Sequence, residues 1–314
     1  MSKKKKKKKG FSQTYTHPFF LFTTSWMRLH PFPLTFIRNM HIKPIKMRWA
    51  TGGVNYAYLL STQDKTKSWI IDPAETEEVL PNLSDSELKS ICAVVNTHHH
   101  YDHSDGNLGM INALKTRGNT NVVGVIAGST TSPGATDIPE HNQMYKLGNL
   151  EIRCIRTPCH TRDSTCYYVN DLETNEHAIF TGDTLFTGGC GRFFEGVGEE
   201  MDKALNFTML DGVGRENLAV TKVFPGHEYT KGNVKFIRKA VYKQPGENKA
   251  VDELEEFANK NRVTTGCFTL QDELNFNPFM RLEDPVVRKA VGDVKGEWTR
   301  ARVMDKLREM KNSM

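Results

Sequence analysis

The chain has 314 residues with 42 Lys+Arg, 37 Asp+Glu and 38% apolar residues, enough to build one large or two modest hydrophobic cores. A charged fraction of 25% and an aromatic fraction of 10% exclude wholesale disorder and a fibrous class, and no apolar run approaches the about 18 residues of a spanning helix. The net charge of +5 invites nucleic acid, but residues 1–39 hold nine cations (Lys3 to Lys9, Arg28 and Arg38) and no acid, leaving 33 bases against 37 acids for the rest.

Residues 1–39 show neither helical nor alternating periodicity. Acid-free and rich in hydroxyls, they read as a disordered cationic arm or a targeting extension, although seven successive lysines suit an amphipathic presequence poorly. The folded part is expected to open at Met40 with strand-like sequence. Strands follow at Asn55–Leu60, Ser68–Ile71 and the apolar run Ile91–Asn96, with a helix announced by the capping-box spacing of Ser84 and Glu87. A second helix is predicted from Asp105 through Leu114. Further strands are predicted at Val122–Ile126, Leu150–Ile155, Cys166–Val169, His177–Phe180 and Thr221–Phe224.

Beyond His227 the pattern turns helical. Val234, Ile237 and Val241 make an apolar stripe over Lys231–Tyr242, Lys249–Lys260 forms the next helix, and the amphipathic Glu297–Lys311 ends basic, as the negative pole of a helix favours. The expected organisation is an extension over 1–39, a mixed α/β domain over 40–226 and a smaller all-helical domain over 227–314. Six cysteines without a C-x-x-C pair read as reduced thiols. The cytoplasm is the expected compartment, or the mitochondrial matrix should residues 1–39 act as a presequence.

The chemistry is concentrated in Thr97-His98-His99-His100-Tyr101-Asp102-His103, directly after an apolar run. Four of eleven histidines fall within six residues there, which a chance surface cluster explains poorly. Three further candidates each sit just past a predicted strand: His160, Asp183 and His227. Singly each is a plausible turn residue, but strand-end ligands can converge on one crevice. Five histidines and two aspartates exceed the needs of one tetrahedral metal and suit two divalent ions with one carboxylate bridging. Zinc is the first expectation, and iron or manganese accept the same donors. Two such ions can share a water and lower its pKa towards about 7, a hydrolytic design.

The T-H-x-H-x-D-H string with His160, Asp183 and His227 resembles the metallo-β-lactamase superfamily, which implies an αββα sandwich. THHHYDHSDGN (Thr97–Asn107), GDTLF (Gly182–Phe186), GCGRFFEG (Gly189–Gly196), PGHEYT (Pro225–Thr230) and NPFMR (Asn277–Arg281) are similar to glyoxalase II, the hydroxyacylglutathione hydrolases. The resemblance implies one metal on His98, His100 and His160, another on Asp102, His103 and His227, and Asp183 bridging, with Asp102 also helping to orient the nucleophile. It implies hydrolysis of S-D-lactoylglutathione to D-lactate and glutathione, the second step of methylglyoxal detoxification. Arg192, Phe194, Tyr229, Arg308 and Lys311 fall at its substrate-binding positions, and Phe194 departs from the family by lacking a hydroxyl. A small-molecule thioester is thus the expected partner of a monomer, without nucleic acid or membrane. Asp72 reads either as a turn residue or as support for a ligand, and Arg281 as docking the helical part onto the sandwich. The rival readings are a single-iron persulfide dioxygenase, which shares GCGR, and a metal-dependent nuclease, which the acidic body disfavours.

Overall fold

The computed structural model describes residues 40–314; the extension over 1–39, read as a disordered arm or presequence, lies outside the described residues. Strands β1 (His41–Met47), β2 (Asn55–Ser61), β3 (Ser68–Ile71), β4 (Ile91–Val95), β5 (Val125–Ile126) and β6 (Ala135–Asp137) form one sheet in chain order. It is antiparallel through β3 and parallel from there on. Strands β7 (Met144–Leu147), β8 (Leu150–Arg156), β9 (Thr165–Asp171) and β10 (His177–Gly182) make a second sheet. After a separate hairpin of β11 (Leu185–Phe186) and β12 (Gly189–Cys190), β13 (Thr221–Pro225) joins that sheet parallel to β10.

Alternation along β2 shows why the sheets pair. Tyr56, Tyr58 and Leu60 point one way, into a core shared with Ile152, Cys154, Tyr167, Val169 and Phe180 of the second sheet. Ala57 and Leu59 point the other way, into a core with Val79, Leu88, Met110 and Leu114. Those residues lie on α1 (Thr76–Val79), α2 (Asp85–Ser90) and α4 (Asn107–Thr116), which cover the first sheet; α3 (Tyr101–Ser104) is a single turn after β4. The Ser84 hydroxyl accepts from Glu87 N while the Glu87 carboxylate accepts from Ser84 N, so the predicted capping box starts α2.

The outer face of the second sheet, including Ile155, Tyr168 and Ile179, packs with Met201, Leu205, Leu254 and Leu307 from helices, completing an αββα arrangement. These helices are α5 (Gly198–Lys203), α6 (Met209–Val213), α7 (Thr230–Phe236), α8 (Lys249–Lys260), α9 (Leu270–Phe276), α10 (Pro285–Val291) and α11 (Arg300–Asn312). Among the described residues, every regular element after β13 is helical. The sequence did not announce α5 and α6. A π-helical turn at Ala204–Thr208 joins them, and α5 has one large apolar residue, Met201, too few to mark a stripe. Arg281 does not reach the sandwich as expected. Its guanidinium donates to the Tyr242 hydroxyl, to Leu274 O and to Asp284, tying helices to one another.

Candidate metal centre

Four strand ends meet at one edge of the sandwich. Beyond β4 the chain carries His98 and His100 and turns through α3, which presents Asp102 and His103; His160 follows β8, Asp183 follows β10, and His227 follows β13. Asp72 anchors this loop from the neighbouring strand β3. It sits in the left-handed region at φ 51°. One of its carboxylate oxygens accepts from Thr97 N at 2.8 Å; the other accepts from the Thr97 hydroxyl at 2.7 Å and lies 3.0 Å from His103 Nδ1. Both readings of Asp72, turn residue and ligand support, therefore describe the same side chain.

The structure brings all seven predicted ligand side chains into one cluster. Three sets have donor atoms within 4.8 Å of one another: His98, His100 and His160; His98, His103 and Asp183; and Asp102, His103 and His227. In the first set His98 Nε2 is 3.0 Å and His160 Nε2 3.1 Å from His100 Nδ1. Metal–imidazole bonds of about 2.0–2.1 Å set neighbouring nitrogens of a tetrahedral site about 3.3 Å apart, so these rings are already close to coordinating geometry. In the third set His103 Nε2 and His227 Nε2 are 3.1 Å apart, and Asp102 Oδ2 is 3.6 Å from His227. Asp183 stands between the sets, Oδ1 3.3 Å from His103 and 3.4 Å from His227, Oδ2 3.5 Å from His160.

Two rings are aimed by their other nitrogen, His103 by Asp72 and His160 by a backbone carbonyl. His160 Nδ1 donates to Arg192 O at 2.9 Å, which leaves Nε2 free for the pocket. Asn55, buried on β2, donates to both the carbonyl and the carboxylate of Asp102 at 3.0 Å. His99, to which the sequence assigned no role, pairs with Asp163 at 2.8 Å. Neither Asn55 nor Asp163 was legible in the sequence, where an Asn at a strand start and an Asp in a turn are ordinary.

Burial, followed by the charge of His103, holds His98 well below the usual imidazole range, and burial lowers His100 and His160 as well. Burial would also lower His103, but Asp183 and Asp72 outweigh it and raise this ring well above its ordinary value. Burial would raise Asp183, yet His227 and His103 hold it well below the carboxylate range. Burial likewise opposes ionisation of Asp102, and His103 and the Asn55 amide overcome it. Burial thus disfavours the charged form of His98, His100 and His160, and the facing imidazoles keep Asp102 and Asp183 ionised, the forms in which these groups ligate metal. Asp183 Oδ1 and His227 Nδ1 are buried without a hydrogen-bond partner. Donor identity, spacing and the orphaned Asp183 Oδ1, which faces the Nε2 atoms of His103 and His227, fit divalent cations.

Backbone forms part of the pocket wall. A Cβ on Gly226 would lie 2.6 Å from both Asp183 Oδ1 and His103 Cε1, and one on Gly191 2.0 Å from Asp183 O and 2.8 Å from His160 Nδ1, so neither position admits a side chain.

The pocket opens into a cavity of ≈ 850 Å³ whose lining includes Arg192, Phe194, Tyr229, Arg308 and Lys311, all five predicted substrate contacts. Tyr229 stacks on His227 with centroids 4.6 Å apart and planes at 6°. Phe194, 60% exposed, stands edge-on to His100 and His160 at 5.4 and 5.3 Å. Arg308 is buried and donates to Cys190 O at 3.0 Å, and the Lys311 amine donates to the Asn233 side chain. Burial, reinforced by the Arg308 charge, pushes Lys311 down to about 7.

Comparison with known proteins places the chain among relatives of known family. The family model described as Hydroxyacylglutathione hydrolase C-terminus matches residues 228–314, and that of the Metallo-beta-lactamase superfamily matches residues 50–118. The chain is 60% identical over 283 residues to a protein of Saccharomyces cerevisiae named "Hydroxyacylglutathione hydrolase, mitochondrial", spanning 90% of this chain and 99% of the relative. It is 62% identical over 275 residues to that organism's "Hydroxyacylglutathione hydrolase, cytoplasmic isozyme", spanning 88% of this chain and all of the relative. A crystal structure of ETHE1 from Myxococcus xanthus superposes with a TM-score of 0.53 at 20% identity, covering 88% of this chain and all of that one; this similarity concerns the fold.

Proposed function

The chain belongs to the hydroxyacylglutathione hydrolase (glyoxalase II) family of thioester hydrolases, and from that premise we propose how its residues divide the reaction. The observation that carries the reading is the cavity itself, in which His and Asp donors from four strand ends face two cations, Arg308 and Lys311, from the last helix. The substrate is S-D-lactoylglutathione or a related 2-hydroxyacylglutathione. His98, His100 and His160 would hold one divalent metal and Asp102, His103 and His227 a second, with Asp183 shared between them; zinc fits this donor set, and so do iron and manganese. Two such ions would supply a hydroxide nucleophile at neutral pH and polarise the thioester carbonyl.

The side chains do the rest. Arg308 and Lys311 bind carboxylate of the glutathione moiety through charge-assisted hydrogen bonds, with Arg192 at the rim of the same cavity. That anchors one end of the substrate and brings its carbonyl to the ligand cluster. Phe194, against His100 and His160, gives the acyl group an apolar wall that limits water access on that side. Tyr229, stacked on His227, bounds the opposite wall. Asp102, held by Asn55, keeps one orientation and helps to aim the nucleophile. A thiol of ordinary pKa about 8.5 departs as the thiolate, so no side chain need deliver a proton to it.

We take the protein to act as a monomer on a small molecule. The names of the yeast relatives divide between mitochondrial and cytoplasmic forms, and no described helix is long and apolar enough to cross a membrane. Cytoplasmic residence is expected for a chain starting near Met40 and matrix residence for one imported through residues 1–39; N-terminal sequencing of native protein separates the two. The function is tested by cleavage of S-D-lactoylglutathione by the purified full chain, with metal content measured on the same sample. Rapid thiol release with close to two metals per chain is expected; a fully metallated protein that leaves the thioester intact would refute the reading.

A further inference from the structure

Four consecutive residues of the β11–β12 hairpin, Thr187 to Cys190, each have one backbone polar group held by a side chain of the helical part. Asn233 Nδ2 on α7 donates to Thr187 O at 2.8 Å, and Gly188 N donates to Glu273 on α9 at 3.0 Å. Asn277 Nδ2, just beyond α9, donates to Gly189 O at 3.0 Å, and Arg308 on α11 donates to Cys190 O at 3.0 Å. Glu273 and Asn277 are wholly buried and joined to each other at 2.9 Å. Apolar packing could hold a hairpin near the helices, but it is not directional; a polar grip on each successive peptide also fixes orientation.

The orientation of the hairpin matters because of the residues it leads into. The chain passes from Cys190 through Gly191 to Arg192, whose carbonyl accepts from His160 Nδ1 at 2.9 Å. One short segment therefore seats Arg308 through the Cys190 carbonyl and aims His160 through the Arg192 carbonyl. Burial pushes the Glu273 carboxyl up to about 8, so the grip on Gly188 N asks for an acceptor oxygen rather than a full negative charge.

We propose that Glu273 and Asn277 are positioning residues: by fixing the Thr187–Cys190 backbone they hold His160 in metal-binding orientation and Arg308 in substrate-binding orientation together. This rests on the reading of His160 as a metal ligand and Arg308 as a carboxylate anchor. Neither Glu273 nor Asn277 lines the cavity, so they reach it indirectly, through the hairpin backbone they hold.

The test uses the full metallated chain and the variants Glu273→Ala, Glu273→Gln, Asn277→Ser and His160→Ala. Metal affinity is measured by chelator competition with zinc, alongside KM and kcat for S-D-lactoylglutathione. Glu273→Ala and Asn277→Ser should weaken zinc binding about tenfold, as loss of a ligand's supporting partner does, and raise KM; Glu273→Gln, which keeps the acceptor, should stay within about twofold of native. Serine at 277 can still cap Phe279 N, as Asn277 does at 3.1 Å, but is too short for Gly189 O. Asn277→Ser thus carries the test should Glu273→Ala fail to fold. Native zinc affinity and KM in Glu273→Ala and Asn277→Ser, with only the melting temperature lowered, would overturn the proposal, as would a Glu273→Gln variant as impaired as Glu273→Ala. Native zinc affinity in His160→Ala would overturn the ligand reading with it; loss there but not in the hairpin variants would sink the positioning role alone.

Discussion

The helical segment and the metal pocket both bury charge, and they neutralise it in different ways. In the helical segment cations meet acids from the same chain: Arg238 pairs with Asp252 and Glu255, Arg281 with Asp284, Arg288 with Glu283 and Asp293, and Arg300 with Asp202. In the pocket, five imidazoles and two carboxylates face one another, and Asp183 Oδ1 and His227 Nδ1 have no hydrogen-bond partner. Charge completed within the chain holds helices together, whereas charge left incomplete awaits something from solution. Arg308 and Lys311 belong to the helical segment by position but resemble the pocket in kind. They donate to a carbonyl and an amide rather than to an acid, and Arg308 Nε is buried without a partner.

The contrast breaks most readily at Asp183, whose two oxygens lie between His103 and His227 on one side and His160 on the other. Asp183→Ala should lower kcat/KM by more than about a hundredfold, beyond the range of residues that only orient a ligand, and reduce metal content. Full activity with less than one metal per chain would contradict the two-metal division. Next comes Asp72, which holds both Thr97 and His103: Asp72→Ala should cost about tenfold to a hundredfold in metal affinity by chelator competition. If affinity is unchanged, the left-handed turn alone is its role.

On the helical side, Lys311→Ala should raise KM for the thioester about tenfold with kcat little changed, because it removes a charged contact made before and during reaction alike. A lowered kcat at constant KM would argue against capture. The same residue gives a pH dependence. With its folded pKa depressed to about 7 from the ordinary lysine value of 10.5, the folded chain binds fewer protons than the unfolded one between those values, so this group makes stability rise with pH across that window. Above pH 7 the free amine is neutral and carboxylate capture must take up a proton. KM should therefore climb as pH rises beyond that value, and Lys311→Arg should remove the climb. The smallest effect is expected at Phe194, where Phe194→Tyr should lower KM by a few-fold at most, the worth of roughly one hydrogen bond.

Much of the site could be read from sequence because its chemistry is local. The string from Thr97 to His103 places four donors on one exit from one strand, and Asp183, His160 and His227 each follow a run of strand-forming residues. The capping box at Ser84 and the stripe of Val234, Ile237 and Val241 along and just beyond α7 were legible for the same reason: their partners lie within about one helical turn. Long-range partners left no such mark. Asn55 reaches Asp102 across 47 residues, Glu273 reaches Gly188 across 85, and Arg281 could not be told from a cation docking across the interface. The helical stretch from α5 to α6 was hidden because α5 offers one large apolar residue, Met201, and α6 carries Gly212 within its five residues.

The close approach of Gly226 and Gly191 to the ligands has a consequence for how such a protein can change over generations. Where main chain passes this close to the ligands, no side chain can be added, so that stretch of wall is inherited as it stands. The rim around Phe194, Tyr229 and the exposed Tyr101 is walled by side chains. Taste for one acyl group or another can therefore drift at the rim while the hydrolytic centre beneath stays the same.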